Sequence, residues 1–222
     1  MDATNEIQED LVIRPGIPHV PGEPRLPSKP PPETALPPGT RAVSLNLAGV
    51  RVLNAHDVGA GEVQVVSMLV DGLSKDPVSV RLEAWEQVED GADLPILEPG
   101  ISLYRHEGAP PPFLDWRLLI IESDSGVRDT GKLVAALGDH ADWRALSTAL
   151  RELLAPGNPV LAAVVIVTAE LMKVVGSVLM ANRDDQIAYL AVTYDRDLDS
   201  LGLGRHVVRV GDAVVAWTIR AA

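Results

Sequence analysis

Cysteine is missing from this chain altogether. That excludes disulfides, thiolate metal sites and cysteine nucleophiles. Basic charge is also scarce: 19 Lys and Arg stand against 31 Asp and Glu, for a net charge of −12. Phosphate must be neutralised by Lys and Arg, so nucleic acid and anionic membranes are disfavoured as unaided partners. No strand-like stretch carries an evident basic patch. An acidic balance suits cation binding and a soluble, self-repelling surface. The opening residues, MDATNEIQED, lack the basic start and apolar run of a secretory signal, so the expected location is cytoplasmic or particle-associated. No serine lies in a G-x-S-x-G elbow. The five histidines, His19, His56, His106, His140 and His206, have no helical zinc-pair spacing. No internal repeat is visible, and a non-enzymatic protein is expected.

What is present is enough apolar sequence for a core. At 222 residues and 46% hydrophobic composition, the chain can hold one domain with an arm. Residues 1–40 are the arm. Pro15, Pro18, Pro21, Pro24, Pro27 and Pro30 recur at every third position. Proline fixes φ and lacks an N–H, which favours polyproline II over helix or sheet. Such an arm is either extended and unattached or docked along a partner or a second copy.

From residue 41 the pattern becomes that of short strands. Val43, Leu45 and Leu47 alternate with polar residues, and the phase then slips to Val50 and Val52, which predicts a bulge at Ala48 and Gly49. Further strands are expected over 62–71, 78–84 and 101–106. In the strand of 113–123, Leu114, Trp116, Leu118 and Ile120 line one face. The other face begins polar with Asp115 and Arg117, then turns apolar at Leu119 and Ile121. That end needs cover on both sides, which following helices can supply. Strands over 186–194, 205–210 and 213–220 complete the set, the last two joined by a tight Gly211-Asp212 turn.

Between the fifth and sixth strands the period changes to that of helices, over residues 129–181. Trp143, Leu146 and Leu150 mark an amphipathic face. Residues 159–181 form the most apolar segment, with Asn158 as an N-cap and Pro159 at the first helical position. Its length approaches a membrane span, but Glu170 and Lys173 sit near its middle, so a buried core helix is expected over membrane contact. The expected fold is therefore mainly β (α+β by content): an eight-stranded antiparallel β-sandwich over 41–222 with a helical insertion.

Two stretches invite chemistry. GVRDTGK, residues 126–132, fits part of a phosphate-binding loop. Leu133, however, stands where Ser or Thr would hold magnesium, and Asp129 puts negative charge inside the loop. A nucleotide-binding enzyme is accordingly the third-ranked reading. The acidic loops are the better lead. If the strands are taken as consecutive antiparallel neighbours, Asp57, Glu89, Asp90, Asp93, Glu122, Asp124, Asp129, Asp184 and Asp185 come to one end of the sandwich. Oxygen ligands from several loops are what calcium requires. The alternative is that these loops are solvated and pair with Arg128 and Arg183.

ESDSGVRD after one strand and NRDDQIAYLAV opening another, within an eight-strand pattern, resemble a C-two domain, the calcium- and lipid-binding β-sandwich. The likeness spans roughly residues 41–220. It implies Glu122, Asp124, Asp184 and Asp185 as calcium ligands, with the helical segment standing where the family has a short loop. The full candidate metal set is Asp57, Glu122, Asp124, Asp129, Asp184 and Asp185. The expected role is binding of a protein partner, with calcium at the acidic loop end. The runner-up is a structural subunit, self-assembled or held in a larger particle by its Pro-rich arm.

Overall fold

A computed structural model describes residues 36–55, 60–73, 78–122 and 186–222. Eight strands account for 65% of them. These are β1 (Ala42–Val52), β2 (Gly61–Val70), β3 (Val78–Val88), β4 (Ile101–Glu107), β5 (Phe113–Glu122), β6 (Gln186–Asp195), β7 (Gly204–Val210) and β8 (Ala213–Ala221). They form two four-stranded antiparallel sheets, in the orders β4-β1-β8-β7 and β3-β2-β5-β6. The class is β-sandwich-like, as the alternating pattern predicts. Consecutive strands are not always neighbours: β1 and β2 lie in different sheets, as do β3 and β4. The helical segment expected at 129–181 and the Pro-rich stretch ahead of Leu36 lie outside the described residues.

Alternation puts the odd residues of β1 inward until the bulge. Val43, Leu45 and Leu47 are buried, the β1–β8 register shifts between Leu47 and Gly49, and Val50 and Val52 take over the inner face. The inner face of β8 is Ala213, Val215, Trp217 and Ile219. From the second sheet Val63, Val65, Leu69, Leu114, Trp116, Leu118 and Ile120 meet them in one core. Trp116 and Trp217 pack edge to face at 5.2 Å between ring centroids. Both indole N–H groups are buried and both are satisfied, Trp116 donating to Ser67 Oγ at 2.9 Å and Trp217 to the Tyr194 hydroxyl at 3.0 Å. A buried indole without an acceptor would cost more than its hydrogen bond returns.

The second sheet is buried on its outer face as well. Val66, Met68, Phe113, Leu119 and Ile121 point away from the sandwich core, yet each is fully buried. Sequence alternation placed both-sided burial at one end of β5 only. Instead all ten of its residues are buried, Asp115 and Arg117 included. The two charges are tolerated because they neutralise each other. Arg117 Nη2 lies 2.8 Å from Asp115 Oδ1, and Thr193 donates to the same carboxylate at 3.1 Å from β6. Burial alone would lower the Arg117 pKa, but the Asp115 charge and Tyr189 outweigh it and hold the guanidinium charged. No described element packs over this face.

The stretch after β6 contains one helical turn, α1 (Arg196–Asp199), and a 3₁₀ turn at Ser200–Gly202. Asp195 caps α1, its side chain accepting from the Asp197 and Leu198 N–H groups. Gly202 has φ of +65°, and a Cβ there would run into the Tyr194 ring. Nearby, His206 Nε2 lies 2.7 Å from the Gly202 carbonyl and its ring packs on Trp217 and Tyr194. A further lock ties the sheets at this end. The Tyr104 hydroxyl of β4 donates to Asp71 Oδ2, just beyond β2, at 2.8 Å, and both residues are buried.

Candidate functional site

The opposite end of the sandwich gathers the connections that carry the acidic residues. Gly61, which starts β2, pairs with Val88, which ends β3. Glu122, which ends β5, lies across from Val63, and Gln186, which starts β6, lies across from Ile121. In the other sheet Val52, which ends β1, pairs with Ala213 beside the β7–β8 turn. Main-chain bonds bring the sheets together here. The Asp212 N–H donates to the Ile187 carbonyl at 2.9 Å, and the Leu53 N–H donates to the Asp212 carbonyl at 2.7 Å. Gly211, at φ +50°, is required at this approach, since a Cβ would meet the Ile187 carbonyl oxygen at 2.5 Å. The β1–β2, β3–β4, β5–β6 and β7–β8 connections therefore all leave from one end. Strand parity in the sequence points to this end for the first three. Asp212 was not placed there, because its hairpin reads only as a turn.

Of the candidate ligands, Glu122 is described. It is 4% exposed and faces inward, on the side of Val63. Asp57, Asp124, Asp129, Asp184 and Asp185 lie outside the described residues, as do residues 126–132 with the partial phosphate-loop pattern. Two of the β3–β4 carboxylates, Asp90 and Asp93, fasten their loop to β1. Asp90 Oδ1 accepts the Ala55 N–H at 2.7 Å, tying this loop to the end of β1. Asp93 takes Arg51 in a two-pronged pair at 2.8 and 2.7 Å. The Arg51 hydrogen bonds hold the Asp93 carboxyl below the usual carboxylate range, against the opposing effect of desolvation. Among the described residues no group of three or more His, Asp or Glu is arranged to hold a metal ion.

Glu62, on β2 near the same end, is pushed the other way. Burial raises its pKa, a hydrogen bond from Gln64 lowers it, and the charge of Glu86 raises it again. Chemically, then, this end offers a buried carboxylate at Glu122 and oxygen-rich connections. Asp90 and Asp93 on the β3–β4 connection serve as loop fasteners. No helix among the described residues is long and apolar enough to cross a membrane.

The class defined by this architecture is an antiparallel, β-sandwich-like module. No family model matches the chain, and no curated protein matches it.

Proposed function

We propose that the chain is a non-enzymatic binding module. It is a β-sandwich of C-two type with a helical segment over residues 129–181, and it engages calcium and a protein partner at the loop end. The observation that carries this reading is the meeting of four connections at one end, with the buried Glu122 at its rim. Asp124 follows Glu122 by two positions, and Asp184 and Asp185 directly precede Gln186, the register partner of Ile121. Both acidic flanks of the β5–β6 connection thus join the sheet side by side. The apolar stretch of 159–181 belongs to that same connection, and its position suits it to cover the outer face of β2, β5 and β6.

Carboxylates gathered without a cation repel one another, and calcium removes that repulsion. Binding to the native state alone stabilises it by RT ln(1 + [L]/Kd), about 2.7 kcal/mol at a hundredfold excess over Kd. The test is a thermal melt in calcium against chelator at matched ionic strength, which removes general screening. A rise of several degrees is expected, lost in Asp124→Asn and in Asp185→Asn. A wild-type shift no larger than that given by magnesium overturns the calcium assignment.

A further inference from the structure

In a chain of net charge −12, the outer face of the first sheet has the opposite sign. Alternation turns Val210, Val215, Trp217, Ile219, Leu45 and Leu47 into the core, so the residues between them project outward. Three of the resulting cross-strand rows carry arginine. Arg209, Val214 and Arg51 form the first; Arg205, Thr218, Asn46 and Ser102 the second; Arg220, Ser44 and Arg105 the third. All five of these arginines are exposed, and the residues between them on β1 and β8 are half-buried. Two are answered by carboxylates at the sheet's margin, Arg51 by Asp93 and Arg105 by Glu107. Arg205, Arg209 and Arg220 form no ion pair among the described residues. The arginines lie far apart in sequence, on four different strands, so no run of basic residues announces them.

We infer that this face binds an extended acidic peptide segment of a protein partner. At a rise of about 3.3 Å per residue and about 4.8 Å between strands, the arginines of β7 and β8 make one line roughly 20 Å long. Arg51 and Arg105 make a second line, roughly 10 Å away. The floor between them is small and mostly polar: Ser44, Asn46, Thr218 and Ala216. A strand laid along that floor repeats its side chains every ~7 Å, which sets successive carboxylates against guanidinium groups. The planar guanidinium matches a carboxylate in a two-pronged pair. Val207, 58% exposed between Arg205 and Arg209, offers an apolar foothold. The occupant is a peptide rather than a membrane or nucleic acid, because an extended polyanion also meets the net negative remainder of the chain. A short acidic segment touches only this face. The inference supplies a partner class for the binding reading but needs no calcium, and it uses the outer sheet face, which meets the loop end only at the row of Arg209, Val214 and Arg51.

The test uses the full chain in chelator, so that failure of the calcium site leaves it untouched. A fluorescein-labelled hexaglutamate peptide is titrated by anisotropy, beside phosphatidylserine vesicles and a DNA duplex. The peptide is expected to bind, more weakly as salt rises. Exposed pairs being individually weak, the combined Arg205→Gln, Arg209→Gln, Arg220→Gln variant should lose about tenfold or more in affinity with its melting point unchanged. Arg81→Gln, on the second sheet, should bind as the wild type does. Absence of peptide binding, or equal binding by the combined variant, overturns the inference. Tighter binding of vesicles or DNA through the same three arginines also overturns it, in favour of that polyanion.

Discussion

Replacing Arg117 by Met leaves Asp115 as a charge in a place where water does not reach. Asp115 is fully buried and Arg117 is 5% exposed, on a sheet face that also carries the buried Val66, Met68, Leu119 and Ile121. Breaking a buried pair by removing one partner costs about 3–5 kcal/mol, because the surviving charge has lost both water and counterion. Thr193 still donates to Asp115, but a hydroxyl dipole offsets only part of that loss. For a domain of this size each kcal/mol lowers the melting point by about 2–4 °C, so Arg117→Met should melt roughly 6–20 °C lower. Removing both charges has a different result. Asp115→Leu with Arg117→Met exchanges a desolvated pair for apolar packing of similar volume, which is typically neutral or stabilising by about 1–4 kcal/mol. The assay is urea unfolding of the wild type, both single variants and the double variant, which yields the coupling energy directly. A cost below about 1 kcal/mol for Arg117→Met would mean that the pair is solvated. It would also mean that the outer face of the second sheet is open to water, and the account of β5 as a strand buried on both sides would fail.

Burial and the Asp71 charge push the Tyr104 phenol well above its ordinary value. A pKa raised in the folded state contributes stability that is present below the unfolded value, about pH 10, and is lost as pH rises past it. Wild-type stability should therefore fall above about pH 10, and Tyr104→Phe should show a shallower fall in the same urea series. At neutral pH that variant should be less stable by about 1.5–3 kcal/mol, the range for a hydrogen bond to a charged group. Gly202→Ala must adopt φ near +65° and also push into the Tyr194 ring, so a melting loss equivalent to more than about 2 kcal/mol is expected. Gly39→Ala at φ +81°, with nothing within 4 Å of the added Cβ, should show only the backbone cost of about 1–2 kcal/mol. Equal losses at the two glycines would show that crowding against Tyr194 contributes nothing.

Local features were legible where local physics decides them. The phase slip after Leu47 marks the bulge that shifts the β1–β8 register, and Gly211-Asp212 marks the β7–β8 hairpin. Strand parity was enough to send Glu122 and the β3–β4 loop to the end where they lie. Three things were not legible. Strand order depends on pairings between residues as distant as Val43 and Ala221, which no local pattern encodes. Asp115 and Arg117 read as a wet edge because a charge is normally solvated, and only their mutual pairing reverses that. The arginine face is a property of register across four strands. Of the candidate metal ligands, Glu122 alone falls among the described residues.

The two routes out of the described fold at its start and finish share a corner. The Arg41 and Ala42 N–H groups both donate to the Ala222 carbonyl, at 2.6 and 2.8 Å. That corner lies at the far end of β1 and β8 from the four connections, about 30 Å away along a nine-residue strand. A group joined beyond Ala222 is therefore attached at the pole of the described fold opposite the four connections. Such a body works like a bracket on a wall. Fused, tethered or immobilised beyond Ala222, the described fold turns the strand ends at Glu122 and Gln186 away from the support. A surface-capture experiment can thus be anchored beyond Ala222, on the far side of the fold from those strand ends.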